Sequence, residues 1–147
     1  MAAVRKVVFP LDQGWAGLVA TSRGLVALIP RRNSREEAEA ELVQALPRGI
    51  EAVNQLTGGV FQEEDILHFA SDMNAYYQGD HVGLDYPVDW ETTGVTDFQK
   101  RALQACKQIP YGQWATYGDL AKAVGNHRAS RAIGGAMHIN PVSLVVP

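Results

Sequence analysis

The stretch "ASRAIGGAM", residues 129–137, sets one long cation, Arg131, among Ala129, Ser130, Ala132, Gly134, Gly135 and Ala136. A helix built this way has no Gln, Asn or second Arg able to make the paired hydrogen bonds that read base edges in a major groove. Two adjacent glycines inside a helix cost about 1 kcal/mol each relative to alanine. Either tight helix packing requires them, or the helix must lie close to another backbone or in a narrow groove with Arg131 as its single probe. The one thiol, Cys106, is the other residue fit for covalent chemistry. It falls on an apolar helix face with Phe98, Ala102 and Ile109, where a cysteine serves as a small hydrophobe. A single cysteine excludes an internal disulfide and a Cys-based metal cluster. His68, His81, His127 and His138 stand at no ligand-like spacing from carboxylates, so no metal site is expected. His127 and His138 flank the small-residue helix and are expected to face solvent or phosphate.

The elements that position Arg131 can be read from capping signals. "TDFQ" at 96–99 is a capping box that opens a helix running to about Ile109. "PYGQ" breaks that helix, and Tyr111 and Trp114 around it are read as core and turn packing. "TYGDLAKAVG" restarts with Thr116 as cap, Asp119 three residues on, and a stripe of Tyr117, Leu120, Ala121 and Val124. "GNHR" turns the chain into the helix of residues 129–139. Two short helices about a Gly-containing turn form a helix-turn-helix pattern, which many α-hairpins share.

Upstream, "RKVVFP", "GWAGLVAT" and "LVALIP" alternate as strands. "SRG" forms a hairpin in which Gly24 can take a positive φ. "NSREEAEAELVQALPRG" reads as a helix capped by Asn33 or Ser34 and stopped at Pro47 and Gly49. "EEDILHFASDMNAYYQGD" reads as a second helix, with Ile66, Phe69, Met73 and Tyr76/Tyr77 on one side and Gly79 past its end. "HVGLDYPVDWETTGV" is read as an acidic linker, and Val142–Val146 as a buried strand. The fold class expected is α+β, with a domain at 1–90 and a mainly helical one at 91–147.

Apolar content of 46% with 20% charged residues is that of a globular chain. No apolar run approaches the roughly 18 residues of a membrane span, and no signal-peptide pattern opens the sequence. A soluble, cytoplasmic protein is expected. The net charge of −3 conceals an asymmetry: residues 1–99 hold 7 basic and 15 acidic side chains, residues 100–147 hold 6 basic and only Asp119 as acid. An acidic body with a basic end suits a segment that meets a polyanion.

Taken together, "IPYG", "TYGDLA", "SRAIGGAM" and "NPV", in this order and spacing, closely resemble the core of the O6-alkylguanine-DNA alkyltransferases, the methylated-DNA–protein-cysteine methyltransferases. "GWAGLVATSRGLVALIP" and "AYYQGD…LDYPVD" resemble the layout of that family's ribonuclease-H-like N-terminal domain. The resemblance implies repair of alkylated guanine in double-stranded DNA by base flipping. A cysteine then takes the alkyl group by direct displacement, once per molecule and without a cofactor. It makes Arg131 the finger that fills the vacated stack, and Tyr117 the residue that crowds the nucleotide's phosphate. Thr116, Ser130, Ala132, Gly134 and Gly135 join them as the surface that lies in the minor groove. Met137, Asn140 and Ser143 become the base pocket and its hinge. A monomer is implied.

In the family the strand after "NPV" runs into "PCHRV", whose cysteine accepts the alkyl group. Aligned from Asn140, this chain reads "NPVSLVVP", so the resemblance puts the nucleophile immediately after Pro147 and implies that the 147 residues alone do not transfer alkyl groups. Three explanations stand: a UGA codon read as selenocysteine, a degenerate gene, or a fragment. A selenol ionises more readily than a thiol, which makes selenocysteine a sensible acceptor. A non-catalytic lesion-binding protein is the alternative function, and a helix-turn-helix regulator a weaker one. Sequencing the transcript through the codon after Pro147 separates them. UGA followed in frame by His-Arg-Val codons is the outcome expected on the selenocysteine reading; a terminator with no coding capacity beyond it leaves a lesion-binding remnant.

Overall fold

Three apolar, β-branched runs separated by short polar turns form an antiparallel meander: β1 (Val4–Pro10), β2 (Trp15–Thr21) and β3 (Gly24–Arg32). The computed structural model describes residues 4–46, 52–53, 62–80, 84–110 and 112–146. A short strand, β4 (Ala52–Val53), pairs in parallel with the start of β1, which makes the sheet order β3-β2-β1-β4. Helix α1 (Arg35–Ala45) is capped by Ser34, whose hydroxyl accepts from the Glu37 amide at 3.2 Å. It drops Leu42 into a cluster with Val4, Val19, Val26 and Ala27. The expected stop at Pro47 and Gly49 lies outside the described residues.

Helix α2 (Glu63–Tyr77) opens on a capping box between Gln62 and Asp65 and buries Ile66, Phe69 and Met73, as their spacing requires. Phe69 meets Phe9 edge-on at 6.3 Å and Tyr86 at 4.5 Å between ring centroids. On the outer side of α2, His68 Nε2 stands 3.5 Å from the Asp72 carboxylate, one turn on, and the Tyr86 hydroxyl donates to that carboxylate. His68 therefore has a carboxylate neighbour that its i, i+4 spacing to Asp72 already encoded, although no group of side chains among the described residues could hold a metal ion.

The stretch read as an acidic linker is part of the sheet's edge. Leu25 donates to the Pro87 carbonyl at 2.9 Å, Asp89 donates to the Leu25 carbonyl at 2.8 Å, and Leu25 and Val88 form a parallel bridge. The four-residue helix α3 (Trp90–Thr93) follows directly. Extended sequence around a proline looks like a linker because nothing local reveals that β3 has an open edge for it to fill. Gly24 has the positive φ expected of it, +157°, just past the Ser22–Arg23 turn, and it is also needed for this close approach. A Cβ at position 24 would sit 2.6 Å from the Pro87 carbonyl oxygen.

Two compact units emerge: residues 1–93 with 141–145, and residues 94–140 with 146–147. The second is a trio of helices, α4 (Asp97–Lys107), α5 (Tyr117–Ala123) and α6 (Ser130–His138), packed on one another. Its core is Ala102, Leu103, Cys106, Leu120, Ala121, Ile133 and Ala136. No helix among the described residues is long and apolar enough to cross a membrane.

The strand expected over Val142–Val146 does not form. Val142, Val145 and Val146 are buried, but the backbone turns, with single bridge positions at Ser143 and Val146 and Leu144 at φ +75°. A β-branched run signals burial more surely than extension. Here Pro141 gives its carbonyl to the Leu28 amide at 2.8 Å, a contact that holds the segment by its end and leaves the rest to turn.

One buried carboxylate organises the exit from the sheet. Asp89, 4% exposed, accepts from the hydroxyls of Thr21 at 2.6 Å and Thr92 at 2.7 Å, from the Thr92 amide at 3.2 Å and from Arg23 Nε at 3.3 Å. Burial pushes its pKa up, but the Thr21 and Thr92 hydrogen bonds and the Arg23 charge outweigh it, and the pKa lies below the usual carboxylate value. A lowered folded pKa means that the unfolded chain binds the proton more readily. The contribution is thus complete above the unfolded pKa of about 4 and lost as pH falls through the lower folded value. Asp89→Ala is expected to cost roughly 2–3 kcal/mol by orphaning the Thr21 hydroxyl. Acid titrations followed by circular dichroism should show a shallower loss of stability below pH 4 in the variant; identical profiles would contradict this assignment.

Candidate nucleic-acid interface

The basic unit positions its functional side chains with two capping boxes. Thr96 Oγ1 accepts from the Gln99 amide at 3.1 Å and the Gln99 side chain accepts from the Thr96 amide at 2.9 Å. Thr116 and Asp119 repeat the exchange at the start of α5, at 3.0 Å in both directions. The two bonds with Thr116, backbone first, together with the charge of Lys122, lower the Asp119 pKa. Arg101 reaches from α4 to the Val124 carbonyl at the end of α5, 3.3 Å away, and pairs with Asp97 at 3.4 Å. After α5, Gly125 at φ +82° and an Asn126 side chain that accepts from the Arg128 amide at 3.3 Å form the turn into α6.

The starts of α5 and α6 come together. A Cβ on Gly118 would lie 3.6 Å from Thr116 Oγ1 and 4.0 Å from Ser130 Oγ, so Thr116 and Ser130 flank one small residue. The Tyr117 ring lies on Gly134: a Cβ there would be 3.2 Å from Tyr117 Cε2. Tyr117 was expected in the buried stripe with Leu120 and Ala121. It is 52% exposed, held against α6 by one flank of its ring while the rest faces solvent. Gly135 is different, since a Cβ added there would meet nothing within 4 Å. The two glycines thus divide the alternatives left open by the sequence. Gly134 admits a neighbouring ring, whereas no packing among the described residues requires Gly135.

Arg131, Ala132 and Gly135 are exposed on α6. Arg131 makes no hydrogen bond or ion pair with a described residue. Met137 is half-buried near the end of α6, and Asn140 follows it, its Nδ2 donating to the Val146 carbonyl at 2.8 Å. Thr116, Tyr117, Ser130 and Gly134 are therefore brought into one patch. Ser143 lies in the 141–145 stretch that clusters with the other unit. Trp114, read from sequence as packing, is 83% exposed. Tyr111 lies outside the described residues. His127 and His138 are exposed, as expected.

Cys106 is buried in α4 at 6% exposure, and burial pushes its thiol pKa up. A less ionised, enclosed thiol is a poor nucleophile.

The helical trio, with its capped turn and exposed small-residue helix, has the layout of a helix-turn-helix unit. Residues 97–147 match the sequence model of the 6-O-methylguanine DNA methyltransferase DNA-binding domain. The methylated-DNA–protein-cysteine methyltransferase of Methanosarcina acetivorans is 40% identical over 88 residues, 60% of this chain and 54% of that protein. Its Mycobacterium bovis counterpart is 39% identical over 75 residues, 51% of this chain and 44% of that protein. The chain spans about half the length of the curated relatives it matches. Among solved structures, the Mycobacterium tuberculosis OGT in complex with DNA superposes at a TM-score of 0.63 with 25% identity, over 97% of this chain and 75% of that one. The O6-methylguanine-DNA methyltransferase of Pyrococcus kodakaraensis superposes at 0.60 with 25% identity, over 98% and 82%. Over residues 97–147 the chain is similar to the DNA-binding domain of the O6-alkylguanine-DNA alkyltransferases (methylated-DNA–protein-cysteine methyltransferases), and over its whole described length to solved structures of such proteins. Its architecture, a mixed sheet-and-helix N-terminal unit and a helical unit that matches the DNA-binding domain model, is that of these solved structures.

The contrast between the two glycines is measurable. Gly135→Ala is expected to raise unfolding stability by up to about 1 kcal/mol, the helix-propensity difference, because nothing opposes the new methyl group. Gly134→Ala should gain clearly less, since the Tyr117 ring must give way. Urea denaturation of both variants checks this, and equal gains would mean that the ring contact carries no energy.

Proposed function

We propose that this chain recognises O6-alkylguanine in double-stranded DNA by laying α6 in the minor groove. As part of a complete alkyltransferase it would serve direct transfer of the alkyl group to a protein cysteine or selenocysteine. The observation that carries the reading is the exposed face of α6, where Arg131, without a partner among the described residues, stands between side chains too small to hold a DNA backbone away. Flipping a base costs a few kcal/mol of lost stacking. Arg131 recovers part of that by entering the gap, its guanidinium able to stack on bases as well as pair with phosphate. Tyr117, fixed by Gly134, crowds the phosphate of the flipped nucleotide. Thr116, Ser130 and Ala132 line the approach, and Gly135 lets the backbone come close. Met137 and Asn140, at the end of α6, border the pocket for the flipped base. In the transfer step the thiolate or selenolate bonds to the alkyl carbon as the carbon–O6 bond breaks, and the released guanine takes up a proton.

Cys106 does not serve as the acceptor, because its thiol is enclosed. The 147-residue polypeptide is accordingly a lesion binder that does not itself become alkylated, and the same reading makes it a cytoplasmic monomer. A non-catalytic lesion-binding protein is the second reading, favoured by the same burial of the chain's only thiol.

The test uses duplexes that contain either O6-methylguanine labelled in its methyl group or, as the control, guanine. The 147-residue chain should bind both, and the lesion duplex more tightly. Arg131→Ala should weaken lesion binding roughly 5- to 150-fold, the span expected for losing one specific arginine contact. Gly135→Ala should weaken it too, despite its gain in stability. Label appearing on Cys106, or an Arg131→Ala variant that binds like the parent, would overturn the reading.

A further inference from the structure

Trp114 is the largest apolar side chain that the second unit leaves in solvent, at 83% exposure. Burying such a ring removes some 150–250 Å² from water, a gain that the fold forgoes. Its exposure is not that of a loose tail. On one side a turn closes through the Gln113 amide and the Pro110 carbonyl at 3.0 Å, with Gly112 at φ +79°. On the other side, two residues on, the Thr116–Asp119 capping box starts α5. The backbone at 114 is pinned at both ends, so the indole is presented at little entropic cost to whatever it meets.

Its surroundings indicate what that is. Residues 100–147 hold six basic side chains and one acid, which favours a polyanion. Tyr117, half-exposed, follows three residues later, and among the described residues the other large apolar side chain exposed in this unit is Ile139. A protein–protein interface needs a contiguous apolar centre, whereas a nucleic acid needs only an aromatic face and positive charge, because every base offers a π-face. We propose that Trp114 is a further DNA contact, its indole lying on the face of a nucleotide in the DNA that Arg131 and Tyr117 engage. This rests on the function proposed above and extends its footprint to the segment before α5.

The experiment compares Trp114→Ala, Trp114→Phe and Arg131→Ala with the parent chain. Anisotropy of labelled single-stranded and O6-methylguanine-containing duplex oligonucleotides gives affinity, and tryptophan emission reports on the indole. Trp114→Ala should bind both oligonucleotides roughly 5- to 150-fold more weakly, the span for loss of one aromatic–base stack. Its melting temperature should stay that of the parent, and Trp114→Phe should retain most of the affinity. DNA should quench the parent's emission and leave that of Trp114→Ala unchanged. Parental affinity in Trp114→Ala alongside weak binding by Arg131→Ala would overturn the contact and leave the proposed function standing. A parent chain that binds neither oligonucleotide would overturn both. A lowered melting temperature in Trp114→Ala, or loss of a self-association seen in the parent by ultracentrifugation, would overturn the DNA contact in favour of a structural or protein-facing role.

Discussion

The Tyr117 ring resting on Gly134 is the contact on which the arrangement of the DNA-binding unit depends. Any side chain at 134 would begin 3.2 Å from that ring, closer than carbon atoms comfortably sit. Glycine there lets α5 and α6 approach at their N-terminal ends, and the approach fixes Tyr117 on the rim of α6. Arg131 then stands three residues before the contact, on the same helix, with Ser130 next to the Thr116 cap. Helix propensity disfavours Gly134 by about 1 kcal/mol, so the residue is explained by geometry between helices and not by the helix that contains it.

Charge is distributed to the same end. In the first unit, four arginines are matched with carboxylates, Arg5 with Glu63, Arg32 with Glu41 at 2.6 Å, Arg35 with Glu39 at 2.9 Å and Arg23 with Asp89 at 3.2 Å, while Arg31 lies over the Tyr77 ring. In the second, Arg101 pairs with Asp97, while Arg128 and Arg131 have no side-chain partner among the described residues. Surface ion pairs add little to stability; their larger effect here is to cancel field. Positive charge thus remains uncancelled where a phosphate backbone could use it, as long-range attraction that falls with salt.

Asp89 plays the corresponding part in the sheet unit. Its carboxylate gathers the β2–β3 hairpin through Thr21 and Arg23 and the start of α3 through Thr92. The strand-like path of residues 87–89 along β3 then satisfies backbone groups at the edge of the sheet, which would otherwise invite pairing with another chain.

Local chemistry determined much of this protein. The capping boxes at Thr96 and Thr116, the Ser34 cap, the apolar spacing of Ile66, Phe69 and Met73, and the hairpin between β2 and β3 are all short-range patterns, and each is readable from a few neighbouring residues. The family could be recognised from motifs in order, and Arg131 from its isolation among small side chains. What the tertiary structure decided involves partners distant in sequence. It made Gly24 a close-approach residue for Pro87 and docked the supposed linker on β3. It turned the buried valines at 142–146 away from a strand, separated the reasons for Gly134 and Gly135, and left Trp114 in solvent. Periodicity reports that a residue suits burial or a helix, but it cannot say whether another segment arrives to cover it. That depends on how elements pack, and a single line of residues does not carry this information.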